Sequence, residues 1–331
     1  MEKLSSFERV VGNISEAEKE QILRDTGERF DDQVFEELKD KEREKTLKEE
    51  QIIAFVNEAT NEVRQRYGLE NFDIPSDNIH VVTEEMWSEE KNTAFFSSKF
   101  QAVALREKLS HMAFMKSVFH EMLHFKSYNS AQITTGENPE LDEYRLGLTV
   151  RTRNGKKMYF SNLNEAVTEE MTKKFASKLL RDPVFADEIE QTKEVMSRHS
   201  QAVTDSGDLL FDDEDVFYAE AEGSKSWRES FDRLFGKRIL GSGTVKIIVE
   251  GFTYQPERKV LNTLIDKIFE RNLDKFQDRE EVFEVFAEGM MTGNILSIGR
   301  LVEKTFGKGT LRQIGELDPD TEAQQEFINS L

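Results

Sequence analysis

Two of the chain's five histidines stand four positions apart in "VFHEMLHF" (118–125), and a glutamate directly follows the first. On a helix, positions i and i+4 lie one turn apart on the same face. His120 and His124 can therefore aim imidazole nitrogens at one point about 2.0–2.1 Å from each, the distance that Zn²⁺ takes from histidine. Glu121 sits about 100° further round the helix, close enough to reach a water at the metal without ligating it. The H-E-x-x-H pattern thus divides the work: two side chains fix the ion and the carboxylate accepts a proton. The competing reading is a pair of core histidines. Buried imidazoles need hydrogen-bond partners that these five residues do not supply, whereas a helical setting is what the metal pattern requires.

Catalytic zinc usually takes three protein ligands and leaves a fourth position open. The chain has no cysteine, which excludes disulfide scaffolds, thiolate zinc sites and cysteine nucleophiles, and leaves His, Asp or Glu as the third ligand. His80, His111 and His199 belong to no second motif. The glycine-spaced third histidine of the longer zinc pattern would fall near residue 130, in "SYNSAQ", and is absent. Downstream stands "NLNEAVTEEMTKKF" (162–175). Its acids would suit an ordinary helix N-terminus, so their meaning depends on what precedes them.

Taken in order, the two segments resemble the thermolysin-like gluzincins, in which an Asn-Glu-x-x-x-acid segment on the next helix follows H-E-x-x-H. Asn164-Glu165-Ala166-Val167-Thr168-Glu169 matches that pattern. The resemblance implies that Glu165 is the third zinc ligand and that Glu169 orients His120 from outside the ligand shell. It departs from the family in having Glu rather than the commoner Asp at 169, and in a longer segment between the motifs. It covers roughly residues 100–180, so the family's substrate preference does not carry over. Gluzincins also commonly stabilise the oxyanion with a Tyr or His. Tyr128, Tyr144, Tyr159, His199 and Tyr254 are the candidates here. Tyr254, in "FTYQPERK" before Pro256 and a helix start, is the one expected to point into a cleft. Arg145 is read either as a carboxylate-binding residue or as a solvated surface residue.

Several elements must position these groups. Ser110 can cap a helix to about Ser127, with Met112, Met115, Val118, Phe119, Met122 and Leu123 on its buried side. Before it, Ile79–Val82 and "KFQAVALRE" (99–107) read as strands. The second would be the edge along which an extended substrate pairs. Asn154–Gly155 predicts a two-residue hairpin within 144–161, and a further helix should run from about Asn164 to Leu180. "EQIIAFVNEATNEVRQRYG" predicts a helix burying Ile52, Ile53, Val56 and Val63 and stopped by Gly68. Beyond 181, "ERKVLNTLIDKIFERN", "REEVFEVFAEGMM" and "NILSIGRLVEKTF" carry helical stripes. The stretch 205–222 has eight acids and no base and reads as a solvated loop; it lacks the EF-hand spacing. "FGKGTL" and "GSGTVK" fail the Walker and dinucleotide patterns.

The expected fold class is α+β. A zincin-like catalytic domain (67–180), a small mixed sheet plus active-site helix, lies between a charged helical N-terminal arm (1–66) and a helical C-terminal region (181–331). A net charge of −20 over 331 residues argues against a grip on nucleic-acid phosphates or anionic membrane. The start, "MEKLSSFERVVGNISEAEKE", lacks a signal-peptide core, and no apolar run approaches the roughly 18–20 residues of a membrane span. A cytoplasmic protein is expected. The expected function is that of a zinc-dependent hydrolase, a metallopeptidase acting on a peptide or protein substrate with Glu121 as general base. The alternatives are a zincin-fold binding or regulatory protein with little turnover, and a zinc hydrolase of a non-protein amide. The oligomeric state leaves no mark in the sequence.

Overall fold

The computed structural model of the chain describes residues 6–28, 41–87, 93–98, 100–108, 110–179, 181–198, 215–221, 238–241, 246–317 and 321–331. The centre of the molecule is helix α3 (His111–Lys126), in which every residue except His111 and Lys116 is buried. Its sequence is apolar on more than one face, so a surface position would leave Phe114 or Phe125 in water. Three neighbours enclose it: helix α2 (Leu47–Arg66), helix α4 (Ser161–Leu179) and a three-stranded sheet. The stripe expected on α2 is the buried one, with Ile52, Ile53, Val56 and Val63 all in the core. A capping box between Thr46 and Glu49 starts that helix. Arg64 and Lys126 tie the two helices together. The Arg64 guanidinium donates to the Lys126 carbonyl, and Lys126 Nζ donates to the Asn57 carbonyl at 3.1 Å and to Asn61 Oδ1 at 2.9 Å.

The three-stranded sheet has the order β2 (Ile79–Val82), β4 (Ala102–Arg106), β3 (Ala94–Ser97). β2 runs parallel to β4, and β3 runs antiparallel to it. The strand expected at 99–107 is therefore interior, paired on both sides and fully buried. It cannot be the edge on which an extended chain is laid. Its alternating Val and Leu reflect burial on both faces rather than one solvated face. The free edge, among the described residues, belongs to β3.

A second sheet has the order β1 (Phe7–Val11), β5 (Asn129–Ile133), β6 (Leu141–Leu146), β7 (Thr149–Arg151), β8 (Met158–Tyr159). β1 is parallel to β5, so the N-terminal stretch contributes a strand as well as helix α1 (Glu16–Glu28). The Asn154–Gly155 turn does join β7 to β8. It lies at the middle of a four-residue loop closed by the Thr152–Lys157 backbone bond rather than forming a two-residue turn. Helix α5 (Ala186–Arg198) packs on β9 (Val216–Ala221), which forms a third, antiparallel sheet with β11 (Lys246–Gly251) and β10 (Arg238–Gly241) in the order β10-β11-β9. Strand β9 occupies the described part of the segment expected as an acidic loop, while 205–214 and Glu222 lie outside the described residues.

Helices α6 (Gln255–Arg271), α7 (Arg279–Thr292), α8 (Ile295–Phe306), α9 (Thr310–Gly315) and α10 (Thr321–Ser330) complete the chain, and the three expected stripes fall on α6, α7 and α8. One hydrophobic cluster runs from Ile52 on α2 through α3 and α4 to Phe327 on α10. The architecture is α+β, with small mixed sheets around a helical core. Among the described residues no helix is long and apolar enough to cross a membrane.

Candidate metal centre

Helix α3 begins at Ser110, whose side chain accepts from the Ala113 N–H. Glu188 on α5 accepts from the backbone N–H groups of His111 and Met112 at 3.0 and 2.9 Å, and from the His111 ring at 2.8 Å. These contacts satisfy the first-turn donors that a helix cannot bond internally. The helix then carries His120 and His124 on the face turned toward α4. Their Nε2 atoms lie 3.1 Å apart, and Glu165 Oε2 lies 3.3 Å from each. Among the described residues this is the only group of His, Cys, Asp and Glu close enough to hold an ion.

Tetrahedral zinc with bonds of about 2.0–2.1 Å sets its donors about 3.3–3.4 Å apart. Three donors at 3.1–3.3 Å fit that spacing, and two imidazoles with one carboxylate are a donor set suited to zinc. Both histidines are 4% exposed, whereas the Glu165 side chain is 28% exposed. The centre therefore opens to solvent on the glutamate side.

Outside the triangle, Glu169 Oε2 meets His120 Nδ1 at 2.7 Å. The extra methylene of Glu relative to Asp does not prevent the contact. Glu170, the adjacent carboxylate, faces away and accepts from Arg258 Nε at 2.8 Å and from the Asn262 amide at 3.0 Å. Glu165 and Glu169, four apart, share the face turned to the histidines.

Asn164 stands behind the second histidine, with its amide nitrogen 3.4 Å from His124 Nδ1 and its Oδ1 accepting from the Leu148 N–H at 2.9 Å. The turn that delivers Leu148 requires a glycine. Gly147 has φ +54°, and a Cβ there would sit 2.3 Å from Asn164 Oδ1.

The electrostatics follow from this crowding. Burial works to lower the His120 pKa, but hydrogen bonds to Glu165 and Glu169 and the charge of Glu121 override it and push the ring up to about 10. Burial opposes ionisation of Glu165 and Glu169. The histidines hold Glu165 well below the usual carboxylate range, and Lys116 with His120 does the same for Glu169. The same interactions that favour a charged His120 ring hold Glu165 and Glu169 anionic, so the carboxylates face the histidines as a negative wall.

Glu121 is buried, at 7% exposed, and its charge is felt at both His120 and Tyr254. Tyr254 stacks its ring on that of His120, with centroids 5.8 Å apart and planes 12° from parallel. It precedes α6 in the left-handed region, at φ +56°, a conformation that non-glycine residues hold only where the surroundings impose it. Although the residue is 37% exposed, desolvation of its hydroxyl and the charges of Glu165, Glu121 and Glu169 push the hydroxyl pKa upward.

The other expected candidates lie elsewhere. Tyr128 packs under Arg145, Tyr144 pairs with Arg153, and Tyr159 lies in β8. His199 is outside the described residues. Arg145 is neither solvated nor free for a carboxylate: it is buried and donates to the carbonyls of Gly293 and Gly147. His80 pairs with Glu42, and His111 with Glu188.

Three residues at the centre were given no role by the sequence. Asn164 and Lys116 had a local signal, since one directly precedes Glu165 and the other lies one turn before His120. Thr253 had none: its N–H and hydroxyl donate to Glu169 Oε1 from 84 positions downstream.

Neither a protein-family model, nor a curated protein, nor a solved structure matches this chain. The chemistry of the site has to be read from its own geometry.

Proposed function

We propose that the chain is a zinc-dependent hydrolase of the gluzincin type, a metallopeptidase that cleaves peptide bonds in a peptide or protein substrate. The observation that carries this reading is the His120–His124–Glu165 triangle combined with a buried carboxylate on the far nitrogen of His120. A pair of core histidines needs a partner for each ring nitrogen. It does not need both Nε2 atoms and a carboxylate oxygen to converge at 3.1–3.3 Å, the spacing of zinc ligands.

His120, His124 and Glu165 would hold the ion. Bound zinc supplies Lewis-acid polarisation of the scissile carbonyl and of the attacking water. Glu121 takes a proton from that water and delivers it to the departing amine nitrogen as the C–N bond breaks, so that water and amide become carboxylic acid and amine, which exchange a proton to leave as carboxylate and ammonium. Tyr254 keeps its hydroxyl proton and donates a hydrogen bond to the carbonyl oxygen as negative charge builds there. Glu169 and Asn164 hold the two imidazoles in orientation. The free edge of β3, which packs against α3 with Phe96 on Phe125 at 4.6 Å, offers backbone groups for pairing with an extended substrate.

Glu121→Gln separates hydrolysis from metal binding. The variant keeps shape and hydrogen bonding but cannot accept the proton. Zinc content measured on the purified protein should equal wild type, while cleavage of a peptide library should fall by roughly 10²-fold or more. Unchanged turnover in the zinc-loaded variant would remove Glu121 from the reaction.

A further inference from the structure

Glu169 has more freedom than an aspartate would have at this position, because its carboxylate turns on one additional bond. A carboxylate that only touched His120 Nδ1 would lose rotamer entropy for a single contact. In this chain its second oxygen is pinned. Lys116 Nζ donates to Glu169 Oε1 at 2.7 Å, and the Thr253 N–H and Thr253 Oγ1, the latter at 2.9 Å, donate to the same oxygen. Lys116 also donates to Thr253 Oγ1 at 3.2 Å, closing a three-membered network.

The two anchors come from different parts of the chain. Lys116 lies on α3, one turn before His120. Thr253 lies in the short link between β11 and α6, directly before the tyrosine that stacks on His120. The Glu169 side chain is fully buried, so its Oε1 relies on protein donors for its hydrogen bonds.

We propose that Lys116 and Thr253 are positioning residues of the metal centre. They fix Oε1 of Glu169 so that Oε2 holds the His120 ring at the angle ligation needs, although neither residue belongs to the ligand triangle. The proposal rests on the zinc reading of the site and extends it to the β11–α6 link. Docking of that link and metal binding become coupled, because one threonine serves both. Thr253 is exposed, so losing its hydroxyl leaves the core undisturbed.

The test is zinc affinity by chelator competition on the full chain, read together with the absorption spectrum of the Co²⁺-substituted protein, which reports ligand geometry. Lys116→Met and Thr253→Val should each weaken zinc by about 10–100-fold, as losses of outer-shell partners do, and should alter the cobalt spectrum. Lys116→Arg and Thr253→Ser keep a donor and should return toward wild type. Wild-type affinity and spectrum in both Lys116→Met and Thr253→Val would overturn the proposal and leave the zinc site standing. A serine variant as weak as the valine variant would overturn the part given to the hydroxyl. A wild-type chain that takes up no zinc would overturn the proposal together with the reading beneath it.

Discussion

Glu165, Glu169 and Glu170 are three carboxylates on one helix, and their surroundings give them three different roles. Glu165 faces both histidines, Glu169 faces only the outer nitrogen of one, and Glu170 is taken by Arg258. Their alanine variants should rank accordingly in a zinc titration. Glu165→Ala leaves two protein ligands and should release zinc almost as readily as a histidine variant. Glu169→Ala should weaken affinity by roughly 10–100-fold, and Glu170→Ala should leave it unchanged. A protein in which Glu169→Ala loses the metal and Glu165→Ala keeps it would place the ligand one turn further along the helix. Tyr254 makes a separate prediction at the same scale. Tyr254→Phe keeps the stacked ring and removes only the hydroxyl, so zinc content should hold while kcat falls by about 10²-fold, as loss of one oxyanion donor typically does. A fall in KM-dependent binding with kcat intact would assign the hydroxyl to substrate capture instead.

Among the elements, helix α3, which carries His120 and His124, was the most legible from sequence. Ser110, the H-E-x-x-H spacing and the apolar positions all speak within one or two turns, and helical period is a local property. Its burial on nearly every side was less legible, because which faces are covered depends on α2, α4 and the β2-β4-β3 sheet, all distant in sequence. For the same reason the strand at 102–106 could be recognised as a strand but not as an interior one: alternation gives the face of a strand, not its neighbours. Glu188 is another contact between distant elements, an acid on α5 that caps α3. Its hydrogen bonds to the His111 ring and to the backbone of Met112 and His111 outweigh burial and hold its carboxyl below the ordinary value. A carboxylate depressed on folding contributes stability that is present above its unfolded pKa, about 4.3, and is lost as pH falls through the folded value. Glu188→Gln should therefore cost about 1–2 kcal/mol at pH 7. The difference from wild type should shrink toward pH 3 in urea unfolding, and a difference that grew on acidification would contradict the capping role.

At the scale of the whole molecule, the candidate site joins segments that the chain order keeps apart. The histidines come from α3, the carboxylates from α4, and Thr253 and Tyr254 from the link before α6, with one continuous core beneath them. The first two segments were readable because each carries its own short pattern in the expected order. Thr253 was not, since a threonine acquires its role only when β11 and α6 bring it to Glu169. The parallel pairing of β1 with β5 was hidden for the same reason, because it joins Phe7 to Asn129 across a span that no local pattern bridges. The stacking of Tyr254 on His120 shows the intermediate case: a tyrosine before Pro256 marks a helix start in the sequence, but only the fold supplies the ring it stacks on. What the assembled site is for rests on the ion. The most direct measurement is therefore zinc stoichiometry of the purified chain beside His120→Ala and His124→Ala. One zinc per wild-type chain is expected, and none retained by either variant, since two remaining ligands hold zinc poorly. A wild-type chain without zinc-binding capacity, or a histidine variant that keeps a full equivalent, would contradict the zinc reading.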